Sequence, residues 1–252
     1  NATFVDLSGW EDSRQLTIDE RIKDSFENID PSSTICFATG YTKGTEGIMR
    51  EFDRGYSEVT FSKVAVLLGA SEAIIHKEVH LSSGDPKLVG EDKVRIIGFT
   101  NYDVADQLAD LGMEAIHPKA SKGLEYDNIP LRVKNAFEPE HPGTLITRNY
   151  RSDEPRVEMV TGCRDMLAIE VTDPDMVGQS GYDYQLLKFF AENRVSYVGK
   201  NTNANTITHY VPAGSKNVET CLSGIRQAFP NAQVTTHKMS MVSAIGSNMK
   251  VP

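Results

Sequence analysis

Over the first part of the chain, short apolar runs alternate with polar, glycine-bearing stretches, and each run predicts an element. Residues 35–38 (ICFA) are apolar and lead into Thr39-Gly40-Tyr41, a pattern that predicts a buried strand delivering a loop. That loop, residues 41–56, carries Gly44, Gly47 and Gly55 among charges. Ser57 is a good N-cap residue and Glu58 suits a first turn, where the helix dipole favours an acid. The following segment, 59–68, is apolar on nearly all sides and predicts a helix buried in a multilayer α/β domain. Residues 73–75 predict a strand, 76–87 a polar run and 94–97 a second strand. Thr100-Asn101 then caps a helix with Val104, Ala105, Leu108, Ala109 and Leu111 on one face, ended by Gly112. Strands at 131–133 and 145–146 flank a Pro142-Gly143 turn. Strands alternating with helices predict a mainly parallel sheet covered on both faces. The polar stretch 148–156 is the best linker candidate, which divides the chain into 1–150 and 151–252.

The remainder has a different rhythm. Residues 166–171 alternate as a strand, Gly178 and Gly181 interrupt the chain, and a helix is expected over 184–192. Strands at 195–198 and 206–211 lie on either side of residues 201–203. A second helix shows Val218, Leu222, Ile225 and Phe229 at helical spacing, and 233–236 closes with a strand. This order is βαββαβ, the ferredoxin-like arrangement.

Composition narrows the function classes. With 252 residues, 39% of them hydrophobic, the chain can bury a sizeable core. A net charge of −9 argues against nucleic acid or an anionic membrane surface as the main partner, since both repel it at long range. Cys36, Cys163 and Cys221 are odd in number and far apart, which points to free thiols in a reducing compartment, the cytoplasm. The longest apolar run, 64–70, falls far short of the roughly 20 residues of a membrane helix. His76, His80, His117 and His141 are too scattered to argue for a transition metal, and no metal site is expected. The chain opens on Asn1-Ala2 and ends at Pro252 in mid-pattern, so it reads as a piece of a longer protein.

Arg54 and Ser57 sit where the N-terminal end of the buried helix is expected. Backbone N–H groups and the dipole attract anions there, and a planar guanidinium completes a carboxylate site. The plainer alternative is that Arg54 pairs with Glu51 or Glu58 and Ser57 only caps.

Two stretches carry a family resemblance. GFTNYDVADQLADLGMEAIHP (98–118) and IPLRVKNAFEPEHPGTLI (129–146) strongly resemble aspartokinases, and the likeness runs from FVDLSGW to MVSAIGSNM. It implies part of an amino-acid-kinase (carbamate-kinase-like) α/β/α sandwich, followed by a ferredoxin-like ACT regulatory domain and the start of a second ACT unit. Residues 53–60 align with the family motif Gly-Arg-Gly-Gly-Ser-Asp-x-Thr: Arg54, Gly55, Ser57 and Thr60 match, while Asp53, Tyr56 and Glu58 depart from it. The resemblance implies that Arg54 and Ser57 hold the L-aspartate substrate and that Tyr41 replaces a substrate-contacting Phe. HKEVHLSSGDPK (76–87) stands in place of the family's nucleotide loop. Asp85 matches, Lys87 replaces an arginine near the ATP phosphates, and either Lys77 or Glu78 takes the position of the loop's first Asp. Glu114 stands where the family has a nucleotide-site lysine. These departures resemble the aspartokinases of ectoine synthesis.

The implied reaction moves a phosphoryl group from ATP to the aspartate β-carboxylate, with Mg²⁺ bound mainly through the nucleotide. DMVGQSG (175–181) resembles an ACT effector loop, so Met176, Gly178, Gly181 and Ser196 are candidate effector contacts, and pairing of ACT domains implies a homodimer. Val198 stands where a lysine-inhibited relative has an acid; that loss removes a contact worth roughly 1.5 to 3 kcal/mol and argues against lysine inhibition. The family's Lys-x-Gly-Gly-Thr-Ser strand is absent, which implies that this stretch lacks part of the kinase domain and is inactive alone. Two other readings stay open: a non-catalytic amino-acid-sensing subunit, and a related kinase acting on glutamate.

Overall fold

The computed structural model describes residues 2–47, 55–111 and 116–249. Arg54, Glu51, Asp53, Gly112 and Glu114, all invoked above, lie outside the described residues. The chain divides into two compact units: residues up to Thr161 together with the segment from Ala244 onward, and residues Gly162–Ser243. Residues 151–158 stay with the first unit because they are stapled to 245–248: the Ser152 N–H donates to Ser247 Oγ and the Glu158 N–H to the Ile245 carbonyl, both at 2.9 Å.

In the first unit, β1 (Ala2–Val5) pairs in parallel with β2 (Ile35–Ala38), and α1 (Ile18–Phe26) connects them. Thr17 and Glu20 form a reciprocal capping box at the start of α1, satisfying N–H groups that no helix can satisfy internally. Ile18, Ile22 and Phe26, spaced by four, pack with Val5 and Leu7. The strand expected to be buried is not: Ile35 and Phe37 are 66% and 61% exposed, because among the described residues β2 pairs with β1 alone. The apolar segment forms α2 (Tyr56–Leu67), which is half-buried rather than enclosed, with Val59, Thr60, Ser62 and Ala65 inside.

A second sheet has the order β3-β5-β6-β4, from β3 (Ala73–Lys77), β4 (Phe99–Asn101), β5 (Leu131–Asn135) and β6 (Thr144–Thr147). It is mixed: β3 with β5 and β4 with β6 are parallel, β5 with β6 antiparallel. The strand expected at 94–97 is only an isolated bridge, Ser82 to Ile96, fixed by Ser83 N–H to Arg95 carbonyl and Ile97 N–H to Leu81 carbonyl. The true strand starts at Phe99. Helix α3 (Tyr102–Asp110) is capped by Asn101 as its sequence predicts, with Val104, Ala105 and Leu108 buried. Helix α4 (Pro118–Tyr126) begins at a His117-Pro118 cap and packs against α2, where Ser62 donates to the Ala120 carbonyl at 2.7 Å.

The second unit has the predicted βαββαβ order: β7 (Met159–Thr172), α5 (Tyr182–Glu192), β8 (Gly199–Thr202), β9 (Thr206–Pro212), α6 (Val218–Ala228) and β10 (Gln233–Ile245). The sheet order β10-β7-β9-β8 is that of a ferredoxin-like domain. Ile169, Val171, Leu186, Phe190, Val211, Leu222 and Ile225 form its core, and each fully buried side chain of this kind contributes about 1.5 to 3 kcal/mol. The strand expected at 195–198 moves to 199–202. Arg194 takes a left-handed φ of 55° and the Val195 N–H closes α5 on the Phe190 carbonyl, so this segment ends a helix before it can pair. Among the described residues, no helix is long and apolar enough to cross a membrane.

Candidate active site

The parallel pair β1 and β2 delivers the loop Thr39–Thr42 to the start of α2. Thr39 Oγ1 accepts from the Leu7 N–H at 2.9 Å and donates to the Tyr41 carbonyl at 3.1 Å, which fixes the turn. Thr42 is fully buried, its hydroxyl 3.1 Å from that of Thr60 on α2. The buried Arg21 of α1 holds the same loop by donating Nε to the Lys43 carbonyl at 2.6 Å and Nη1 to Asp12 at 3.0 Å. A Cβ added to Gly40 would lie 3.2 Å from Ser57 Cβ, so loop and helix start are in contact.

Ser57 is not the N-cap its sequence suggests. It lies inside the first turn of α2; the cap is Gly55, at φ 76°, and among the described residues no side chain is bonded to the free N–H groups. Only glycine adopts this φ without strain, and the His117 ring sits where a Cβ would be, 2.7 Å from its Cδ2. The exposed Ser57 hydroxyl and uncapped helix N-terminus thus face the Gly40-Tyr41 loop, a setting that favours an anion. Tyr41 stands between Trp10 and Tyr56, with ring centroids 6.4 and 6.1 Å away, and forms an aromatic wall.

Glu58 joins the pieces. Its Oε1 accepts from Lys77 Nζ at 2.7 Å and its Oε2 from the His117 N–H at 2.5 Å, so one carboxylate ties α2 to the end of β3 and the start of α4. Sequence reasoning gives Glu58 only a first-turn role or a pairing with Arg54; its actual partners lie 19 and 59 residues away, and no local pattern announces them.

Tyr41, Ser57 and Lys77 are therefore brought to one region. Glu78 is exposed. Asp85 accepts from the Lys87 N–H at 2.9 Å and caps a single helical turn, Pro86–Val89, leaving the Lys87 side chain exposed. His80 and His141, taken above as scattered, are neighbours with ring centroids 4.3 Å apart, and His80 Nε2 lies 3.3 Å from Glu138. Among the described residues no group of three or more His, Cys, Asp or Glu has the geometry to hold a metal ion.

In the second unit Met176 is a core residue, whereas Gly178 and Gly181 have positive φ and nothing within 4 Å of where a Cβ would sit. Ser196 is exposed. The buried Asp173 closes this loop by accepting from Tyr182 Oη at 2.7 Å and from the Asp175 N–H at 2.9 Å; burial and that carboxylate push the Tyr182 hydroxyl pKa up.

The amino acid kinase family pattern matches residues 4–135. Over 251 residues the chain is 51% identical to the aspartate kinase Ask_Ect of Stutzerimonas stutzeri, a match covering 100% of this chain and 53% of that protein. The crystal structure of Clostridium acetobutylicum aspartate kinase superposes with a TM-score of 0.73 at 17% identity, covering 98% of this chain and 58% of its own, and so shares the fold. Escherichia coli aspartokinase III in complex with aspartate and ADP does so at 0.69 and 16%, covering 98% and 58%. The chain spans about half or less of the length of the curated relatives it matches.

Proposed function

From the premise that the chain belongs to the amino acid kinase family, we propose that the protein containing it is an aspartate kinase of the type serving ectoine synthesis. It transfers the γ-phosphoryl group of ATP to the β-carboxylate of L-aspartate. The acceptor carboxyl group has a pKa of about 4 and is already ionised at neutral pH, so no strong general base is needed. What the reaction needs is two anions held in line and their charge neutralised. Ser57, Arg54 and the uncapped start of α2 are the acceptor side, with Tyr41 as its wall. Lys77 and the exposed Lys87 supply the cationic groups a triphosphate requires, with Asp85 shaping the loop and Mg²⁺ arriving with the nucleotide. Gly178, Gly181 and Ser196 remain the candidate effector contacts, and the sheet of the second unit offers edge strands for a homodimer.

The observation that carries this reading is the Glu58 hub, which gathers the helix start bearing Ser57, the strand bearing Lys77 and the His117 cap at one place. The test is ATP-dependent hydroxamate formation from L-aspartate by the whole gene product. Activity with L-aspartate is expected, falling about a hundredfold in kcat/KM for Arg54→Ala, the loss of one strong charge-assisted contact. A gene product that binds amino acids yet transfers no phosphoryl group favours the sensor reading. One that prefers L-glutamate overturns the substrate assignment.

A further inference from the structure

A cavity of about 190 Å³ opens in the first unit and shares no residue with the site above. Arg95, Arg156 and Glu158 supply its charges; Phe99, Tyr150 and Ile96 supply apolar surface. The Phe99 and Tyr150 rings are stacked, with centroids 6.0 Å apart and planes 21° from parallel, yet Phe99 remains 58% exposed. Ile96 is 44% exposed beside them. Two large apolar side chains are thus left in contact with water at the rim of a charged hollow.

The charges are arranged rather than merely present. Glu158 is 5% exposed and rigidly held: Oε2 accepts from the Ser247 N–H at 3.1 Å and Oε1 from the Ser247 hydroxyl at 2.8 Å. An ionised carboxylate accepts about four hydrogen bonds, so acceptor capacity is left over. Among the described residues its one cationic neighbour is Arg156, whose Nε is 4.0 Å away and which is itself 57% exposed. Among the described residues the Arg95 guanidinium has no hydrogen bond or ion pair. The cavity therefore offers an underused carboxylate, an unpaired guanidinium and a flat apolar surface.

We propose that this cavity binds the zwitterion of a free α-amino acid with a large apolar side chain. Arg95 holds the α-carboxylate, Glu158 the α-ammonium group, and the Phe99 and Tyr150 rings the side chain. A simple anion leaves the spare acceptor capacity of Glu158 unused and is repelled by it; a simple amine leaves Arg95 unpaired. The volume also decides: it lies below the roughly 300 to 1,000 Å³ of sites for drug-sized ligands, so it accommodates one amino acid and not a nucleotide.

The experiment is saturation-transfer NMR titration of the 252-residue chain with L-phenylalanine, 3-phenylpropionate, phenethylamine and inorganic phosphate. Saturable binding of L-phenylalanine is expected, with each singly charged analogue about tenfold weaker, the size of one charge-assisted hydrogen bond. L-Aspartate at equal concentration, which has the zwitterion but no apolar side chain for the rings, should not displace it, and this separates the site from the acceptor site proposed above. Arg95→Met, at an exposed position, should weaken L-phenylalanine about tenfold without moving the thermal midpoint. Glu158→Gln should abolish the preference for L-phenylalanine over 3-phenylpropionate; if that variant does not fold, the phenethylamine and Arg95→Met results decide alone. The proposal is overturned by no saturable binding, by phosphate or 3-phenylpropionate competing as well as the amino acid, or by an Arg95→Met variant that binds unchanged.

Discussion

Helices α2 and α5 start from the same backbone device and meet opposite surroundings. Gly55 at φ 76° precedes Tyr56 in the first unit, and Gly181 at φ 79° precedes Tyr182 in the second; neither helix has a side-chain cap. In each, an acid of the first turn pairs with a strand lysine: Glu58 with Lys77, Asp183 with Lys200. The difference lies in what closes around them. At Gly55 the His117 ring fills the space a Cβ needs and Tyr56 stays 37% exposed; at Gly181 the space is open and Tyr182 is 4% exposed, bonded to Asp173. A left-handed glycine before a helix therefore does not identify a site by itself. Enclosure by distant residues distinguishes the two.

The largest expected effect tests that enclosure. Gly55→Ala must pay the left-handed penalty of about 1 to 2 kcal/mol and must also displace the His117 ring, an overpacking cost of about 1 to 3 kcal/mol. Less the roughly 0.4 to 1 kcal/mol that a stiffer unfolded chain returns, a loss of up to about 4 kcal/mol in urea unfolding of the chain is expected. A loss no greater than that of the matching change at Gly181 would mean that His117 does not confine the helix start.

The next effect belongs to the second unit alone. His209 is fully buried between Phe190 and Tyr197, at ring distances of 4.4 and 5.1 Å, and neither ring nitrogen has a hydrogen-bond partner among the described residues. The charged groups facing it are Asp183, which favours its protonation, and Lys200, which opposes it; burial outweighs both and lowers the pKa to about 4. The unfolded chain takes up this proton near pH 6.5 and the folded one only near 4, so stability falls as pH drops through that interval and levels off below it. The loss is on the order of 3 kcal/mol. His209→Phe should flatten the acid limb of the stability curve, and an unchanged limb would assign it to other groups.

Much of this was legible locally, and the reason for the rest is distance. Asn101 as a cap, the Val218, Leu222 and Ile225 stripe and the βαββαβ order all follow from patterns within a few residues, and the structure contains them. Helix α1 carried a readable signal, Thr17 followed three residues later by Glu20, that the apolar rhythm alone does not expose. The exposure of Ile35 and Phe37 was not readable, because an apolar strand looks the same whether or not neighbours cover it. Ser57 looked like a cap because serine is the better capping residue, yet Gly55 satisfies a φ that serine does not. Arg54 and Ser57 could be offered as a carboxylate site from the expected helix start, Tyr41 only through family resemblance, and the Glu58 hub not at all.

A smaller effect compares the two acid and lysine pairs. The Glu58 and Lys77 side chains are 19% and 27% exposed, against 35% and 31% for Asp183 and Lys200. Glu58→Gln weakens the contacts to both Lys77 and the His117 N–H, and about 2 kcal/mol is expected. Asp183→Asn removes a more solvated pair, for which less than about 1 kcal/mol is expected. Equal losses in urea titrations would show that the hub is no stronger than an ordinary surface pair.

The smallest effect is the most exacting for the comparison. Gly181→Ala carries the same left-handed penalty of about 1 to 2 kcal/mol as at Gly55, but the methyl group enters space with no atom within 4 Å. It also reduces the freedom of the unfolded chain, which returns about 0.4 to 1 kcal/mol. A net loss of about 1 kcal/mol is expected, with the Tyr182 to Asp173 bond intact and the near-ultraviolet circular dichroism unchanged. Gly55→Ala and Gly181→Ala share one backbone term, so the gap between their losses isolates what His117 adds. If Gly181→Ala costs as much as Gly55→Ala, φ alone governs both positions, and the enclosed helix start loses its claim to be a built site.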